Sequence, residues 1–316
     1  MEILYIGDFK KKNGPSMVDI NLNKYFPKDI VVFHQIQKKI ELNLLKKIIN
    51  CKIIVVSGIS FLGAFSFILG KLFSKKNCLI MHGTLKLERK FRFVPRYRYY
   101  IELFSIFCAT KIIAVSKKFS KDLKDLYPRK KNNIDYVNNG VEVKKKSNLS
   151  KVKGKVLTVG GGRKEKGILT ICKALDKLKD IDIELLVAGE DGVDTEEIKK
   201  YSFVNYLGFI EHIQLTELMK KSELFIQNSA YEPFGMAPLE ALNYNCKLLL
   251  SENVSSKELL NIRSSNIIHD YKNIDEIASK IEICLLNEND TFFKPNIDLS
   301  WSKKSTQYLK SIRNIG

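Results

Sequence analysis

The chain has 316 residues, a formal net charge of +18, 45% hydrophobic residues and 28% charged residues. These proportions belong to a globular protein with a core and exclude wholesale disorder, and the length predicts about two domains. Six cysteines stand singly, without CxxC or a short pairing, which excludes a zinc ribbon and a disulfide scaffold and points to a reducing compartment. The first residues lack the basic leader and apolar core of a signal peptide.

The charge is shared unevenly. Residues 1–150 hold 30 Lys and Arg against 11 Asp and Glu, whereas residues 151–316 hold 23 against 24. The whole excess therefore lies in the first half and points to an anionic partner there: a membrane surface, a nucleic acid or a phosphorylated substrate. A lysine-rich composition is the bland alternative.

In chain order, strand-like runs at 3–6, 30–33, 53–56, 78–81 and 112–115 alternate with helical patterns such as 116–126. The uncharged stretch 53–70 reaches the length of a minimal membrane span, but Ser57, Gly58 and Ser60 interrupt it. Its β-branched start reads as a buried parallel strand, and 61–73, with small Gly63 and Ala64, as a buried helix. The polar run 142–153 carries no periodicity and reads as a linker. Beyond it, strands at 155–159, 184–188, 204–207, 224–226 and 247–250 alternate with helices at 168–178, 214–221 and 238–243. Such alternation predicts an α/β protein with two Rossmann-like parallel-sheet domains.

The most informative stretch is NSAYEPFGMAPLEAL at 228–242. Glu232 and Glu240 flank a Gly-Met-Ala-Pro turn, and Pro238 suits the first helical position, so a helix is expected from about Ala237 with Glu240 in its first turn. No Ser, Thr, Asp or Asn caps that helix. The amides of Gly235, Met236 and Ala237 and the helix dipole then offer a site for a phosphate or pyrophosphate. Read singly, Glu240 complements the dipole and Glu232 is a solvated loop residue; the spacing of the pair favours a shared site.

This stretch resembles the E-x7-E signature of retaining GT-B glycosyltransferases, in particular glycosyltransferase family four, through Ser229, Glu232-Pro233-Phe234-Gly235 and Glu240-Ala241. Further segments are similar to family landmarks in the same order: 112–116 (IIAVS), 136–141 (YVNNGV), 159–167 (VGGGRKEKG), 186–189 (LVAG), 207–210 (LGFI) and Ser300-Trp301 before a final helix. The resemblance implies two Rossmann-like domains with sheets facing a central cleft. Residues 1–145 would bind the acceptor, 146–298 the nucleotide sugar, and 299–316 would cross back to the first domain.

The resemblance also implies roles. Glu232 would hydrogen-bond the transferred sugar and Glu240 the ribose hydroxyls. Backbone groups of Phe234, Gly235, Met236 and Ala237 would hold sugar and pyrophosphate, with Gly161 and Gly162 beside them. Phe209 and Ile210 would border the base. Lys166 would neutralise the leaving diphosphate. The family's arginine is displaced here: counting back from Lys166 gives Gly161, and Arg163 is the nearest guanidinium. His82, at a strand end, would face the reacting sugar, and Gly14, Pro15 and Ser16 would form a flexible glycine loop near donor and acceptor. No metal or other cofactor is expected, and no DxD pair is evident. A rival reading of Gly160-Gly161-Gly162 is a dinucleotide fingerprint with Asp180 or Asp182 as its acid, hence an NAD(P)-dependent oxidoreductase.

In the first half, Arg89, Lys90, Arg92, Arg96 and Arg98 interleave with aromatic residues over 89–100. That pattern suits an anionic membrane surface or single-stranded nucleic acid, and equally a solvated helix face. No nucleic-acid motif accompanies it. The expectation is therefore a glycosyltransferase that moves a sugar from a UDP- or GDP-type donor to a saccharide or lipid-linked saccharide acceptor. Capsule, O-antigen or wall polysaccharide assembly on the cytoplasmic face of the membrane would be its setting. A nucleic-acid-binding protein is the alternative.

Overall fold

The computed structural model describes residues 1–10, 14–37, 41–142, 150–288, 291–295 and 297–315. The chain divides into two compact units, Met1–Val141 with Asp298–Gly316, and Glu142–Ile297.

In the first unit, β1 (Ile3–Gly7), β2 (Val31–Gln35), β3 (Ile53–Ser57), β4 (Lys76–Met81), β5 (Lys111–Ala114) and β6 (Ile134–Tyr136) form one parallel sheet, ordered β2-β1-β3-β4-β5-β6. Helices α1 (Gly14–Tyr25), α2 (Leu42–Asn50), α3 (Phe61–Leu72), α4 (Leu85–Glu88), α5 (Arg96–Cys108) and α6 (Lys117–Leu126) follow the strands. Strands β1 and β3 are buried along their whole length, which is why their sequences are unbroken apolar runs rather than alternating ones. The short β6 has one buried residue, too weak a pattern to be read beforehand.

The uncharged stretch resolves into β3 and α3. Ser60 caps the helix by accepting from the Gly63 amide at 3.0 Å, and a Cβ on Gly63 would lie 2.4 Å from Val56 Cγ1, so glycine lets the helix press onto its own strand. Among the described residues no helix is long and apolar enough to cross a membrane. The helix departs from the expected burial on one side, where Phe61, Ile68 and Leu72 are exposed. A uniformly apolar helix hides which face meets water.

The second unit contains β7 (Val152–Val159), α7 (Ile168–Leu175), β8 (Glu184–Ala188), α8 (Thr195–Ile198), β9 (Val204–Gly208), α9 (His212–Lys221), β10 (Ser222–Gln227), α10 (Met236–Asn243), β11 (Lys247–Ser251), β12 (Leu260–Asn261), β13 (Ile267–Ile268), α11 (Ile274–Leu286) and β14 (Phe292–Phe293). Six strands make a parallel sheet ordered β13-β11-β10-β7-β8-β9, while β12 and β14 pair antiparallel. Ile171 and Leu175 of α7 and Ile277 and Ile281 of α11 are buried over Leu224 and Leu249 of the sheet. Strand β7 starts at Val152, so the end of the expected linker is already sheet; residues 143–149 of it lie outside the described residues.

After the second unit the chain returns to the first as α12 (Trp301–Arg313), which packs on α1. The fully buried Tyr308 reaches the Val137 carbonyl at 3.1 Å and Asn139 Oδ1 at 2.9 Å, and Arg313 forks onto Glu2 at 3.1 and 2.6 Å. A Cβ on Gly140 would meet the Trp301 ring at 2.5 Å, so the glycine gives the indole its seat.

Candidate active site

In the second sheet the first strand, β7, lies between β8 and β10, so the strand order reverses between β7 and β10. Open parallel sheets bind ligands outside the carboxyl ends of the strands at such a switch point. The loops leaving these two strands are tied together there. Lys166 Nζ stands 2.5 Å from Glu232 Oε2, with both side chains largely buried. The Ala230 amide donates to the Glu165 carbonyl at 2.8 Å, and Asn228 Nδ2 donates to the Gly167 carbonyl at 3.3 Å. Gln227, the last residue of β10, donates to the same Glu232 oxygen at 2.6 Å.

The segment after Glu232 is braced by a neighbouring stretch. Glu232 forms a β-bridge with Val254, the Ser255 hydroxyl donates to the Glu232 carbonyl at 3.0 Å, and the Ser256 amide donates to the Phe234 carbonyl at 2.7 Å. Gly235 then turns the chain into α10 with φ +90°, and no side chain caps that helix. A Cβ at Gly235 would touch Val254, Ser256 and Glu232 at 3.0 to 3.2 Å. Gln227 Oε1 and Ser256 Oγ are buried around this turn without a hydrogen-bond partner among the described residues.

Helix α10 begins at Met236, one residue earlier than expected, so Pro238 is its third residue; its missing amide is still one of those a helix start leaves unpaired. Glu240 accordingly lies in the second turn rather than the first. Its carboxylate, 19% exposed, faces His212 Nε2 on α9 at 3.4 Å. Phe209 and Ile210 follow β9 at the same strand ends, with the Phe209 ring 57% exposed.

The triple glycine does different work. The amides of Gly160 and Gly161 donate to the Ala188 carbonyl at 2.7 and 3.1 Å, and that of Gly162 to the Glu190 carbonyl at 3.1 Å. A Cβ at Gly161 would sit 1.9 Å from the Glu190 oxygen, and one at Gly162 1.9 Å from Thr195 Oγ1. These glycines let the loops after β7 and β8 close on each other. The same engagement leaves the dinucleotide-fingerprint reading without the free loop amides that a cradled pyrophosphate needs. Arg163 holds the Gly160 carbonyl through Nε at 3.1 Å while half its side chain meets solvent.

In the first unit the strand order reverses between β1 and β3, and a second polar chain gathers at those strand ends. His82, just past β4, has Nε2 2.8 Å from Ser57 Oγ at the end of β3. Ser57 also bonds the Asp19 carboxylate, which accepts from Tyr5 OH at 2.7 Å and the Asp8 amide at 2.8 Å. Burial pushes the Asp19 carboxyl up to about 6 and the His82 imidazole down to about 4. Just after His82 in the chain, Thr84 Oγ1 and the Leu85 amide donate to buried Glu102 at 2.6 and 2.7 Å, and Tyr127 OH donates to it at 2.8 Å. Gly14, Pro15 and Ser16 form the first turn of α1 rather than a loop, with Ser16 buried; residues 11–13 lie outside the described residues.

Of the basic cluster, Arg89 stacks on Tyr99 at 5.5 Å, Arg92 pairs with Glu88, Lys90 and Arg96 are exposed and Arg98 is half-buried. Sequence reasoning did not single out Asp19, Ser57, Gln227 or His212, since each gains its place only from a partner distant in the chain. Among the described residues no three His, Cys, Asp or Glu side chains are grouped to hold a metal ion. An open hollow of about 510 Å³, bordered by Lys151, Glu223 and Lys247, lies at the opposite strand ends of the second sheet from the Lys166–Glu232 pair.

Two six-stranded parallel α/β domains, the second with a lysine–carboxylate pair at its switch point and an uncapped helix beside it, define a protein of GT-B architecture. Residues 141–297 match the family model described as "Glycosyl transferases group 1", so the chain carries a domain of that family. An uncharacterised glycosyltransferase of Methanocaldococcus jannaschii is 26% identical over 200 residues, 56% of this chain and 51% of the relative. The matched region spans about half or less of the length of the curated relatives. Among solved structures, Anabaena HepE in complex with UDP and glucose superposes with TM-score 0.68 at 13% identity, covering 99% of each chain. The lipopolysaccharide outer core galactosyltransferase WaaB, in its apo form, gives TM-score 0.66 at 18% identity, again covering 99% of each.

Proposed function

We propose that this chain is a retaining glycosyltransferase of family four that transfers a sugar from a nucleoside diphosphate sugar to an acceptor hydroxyl without a metal ion. The observation that carries this reading is the Lys166–Glu232 pair, 2.5 Å apart beside the uncapped start of α10. A donor diphosphate entering there offers Lys166 its negative charge, which releases the Glu232 carboxylate to take sugar hydroxyls. The bond from the anomeric carbon to the diphosphate breaks and the acceptor oxygen bonds the same face of that carbon. The acceptor proton passes to the departing phosphate oxygen. Lys166, with the half-exposed Arg163 next to it, stabilises the charge that develops there. Glu240 takes the ribose, Phe209 and Ile210 border the base, and His82 serves the acceptor side.

UDP in the HepE complex supports a uridine-type donor, with a GDP type next. A saccharide held on a lipid at the cytoplasmic face of the membrane is the acceptor we propose, in capsule, O-antigen or wall polysaccharide assembly; the fold shared with the lipopolysaccharide outer core galactosyltransferase WaaB and the charge of the first half support it. The test is thermal unfolding of the wild type and Glu240→Ala with UDP, GDP, dTDP and NAD. A nucleoside diphosphate at 100 times its dissociation constant adds about 2.7 kcal/mol to the wild type, and the variant loses that shift. Stabilisation by NAD alone would overturn the assignment.

A further inference from the structure

Helices α3 and α5 pack side by side, as right-handed crossovers from β3 through β4 to β5 require. On α3, Phe61, Ile68 and Leu72 repeat at helical spacing and form an outward stripe, with Phe61 67% and Leu72 72% exposed. On α5, Tyr97, Tyr100, Phe104 and Phe107 do the same, with Phe107 66% exposed. Single exposed apolar side chains are ordinary on a protein surface; two adjoining stripes of large ones mark a contact face.

Cations border these stripes. Lys71 Nζ lies 4.3 Å over the Phe107 ring, and Lys130 Nζ donates to the Phe107 and Ala109 carbonyls at the same helix end. Exposed Arg96, Arg89 and Lys90 stand at the other end of α5. Residues 58–108 hold nine Lys and Arg and only two acids, and both acids are engaged: Glu102 is buried beneath Thr84 and Tyr127, and Glu88 pairs with Arg92. Such a face repels a second copy of itself. Single-stranded nucleic acid would use the tyrosines and cations but has no place for Ile68, Leu72 and Phe61. A bilayer accommodates all of them: aliphatic and phenyl groups in the acyl boundary, tyrosines at the headgroups, cations on the phosphates.

We propose that the outer face of α3 and α5 docks onto an anionic lipid bilayer. The proposal rests on the reading of a lipid-held acceptor, and it names the surface that brings the chain to that acceptor. Lys71 and Arg96 meet headgroup phosphates while Leu72 and Phe107 enter beside them.

The full chain is mixed with phosphatidylcholine vesicles with and without phosphatidylglycerol, and binding is read by flotation. Binding is expected to need the anionic lipid and to weaken with salt. Leu72→Gln combined with Phe107→Gln lowers the partition coefficient about tenfold or more, and Lys71→Gln or Arg96→Gln each lowers it about fivefold. All four side chains contact water, so their replacement spares the fold. A Phe107→Trp reporter shifts its emission to the blue on these vesicles. Wild type that ignores anionic vesicles, or apolar variants that bind as wild type, overturns the proposal. A dimer abolished by the double variant, or RNA bound in place of lipid, overturns it equally. Nucleoside diphosphate shifts measured on the same samples separate the two readings. Vesicle binding without any such shift keeps the surface and removes the transferase; a shift without vesicle binding does the reverse.

Discussion

Lys166 Nζ and Glu232 Oε2, from loops 66 residues apart in sequence, meet at 2.5 Å, and Gln227 donates to the same carboxylate oxygen at 2.6 Å. The pair leaves the cation of one loop neutralised by the acid of the other. Glu232→Gln removes that internal counter-charge. The variant is expected to bind the nucleoside diphosphate as tightly as wild type or more tightly, while transfer falls by roughly a hundredfold or more. Lys166→Ala strands a largely buried carboxylate and costs about 3 kcal/mol. Calorimetric titration, turnover and thermal unfolding of both variants check this; turnover at the wild-type rate in Glu232→Gln removes the carboxylate from the chemistry.

Two glycines with nearly the same backbone conformation separate strain from crowding. Gly161 has φ +59° and Gly208 φ +65°, but a Cβ meets the Glu190 carbonyl at 1.9 Å at the first and nothing within 4 Å at the second. Gly208→Ala is expected to cost about 1 kcal/mol for the left-handed conformation alone. Gly161→Ala adds a clash with backbone that cannot rotate away, about 3 kcal/mol or more in all. Equilibrium unfolding in urea reads the difference directly, and equal costs would show that the loops after β7 and β8 are not locked together.

Most strands were legible because a parallel strand buried on both faces must be an unbroken apolar run, as at 53–56 and 224–226. That Glu232 lies in a loop and Glu240 on the helix after it was legible because one short segment carries both. The exposed stripe of α3 was not: Phe61 and Leu72 on the water side have the same chemistry as Leu62 and Phe67 on the sheet side. Nor was the register of α10, since Gly235 turns the chain one residue before the proline that signals a helix start. The chain from Tyr5 through Asp19 and Ser57 to His82 joins β1, α1, β3 and the loop after β4, and no local spacing announces it.

That chain carries a pH signature in which two groups oppose each other. Burial raises Asp19 from 3.8 to about 6 against the bonds from Ser57, Tyr5 and the Asp8 amide that favour its charge, with Asp8 itself adding repulsion. The folded state therefore holds the Asp19 proton more tightly than the unfolded state, and this contribution is lost as pH rises from about 4 to about 6. Burial lowers His82 from 6.5 to about 4, so its contribution runs the other way: the unfolded state takes up the proton first, and stability falls as pH drops from about 6.5 to about 4. The Asp19 shift corresponds to about 3 kcal/mol, and that of His82 to no more than a similar amount because its ring keeps some contact with water. In the wild type the two slopes largely cancel. Asp19→Asn unmasks His82, and the stability of the variant is expected to climb with pH from 4 to 6.5. His82→Gln unmasks Asp19 and reverses the slope. Urea unfolding of the three proteins at half-unit pH steps tests this, and parallel curves for both variants would show that neither group is held in the protonation state assigned to it.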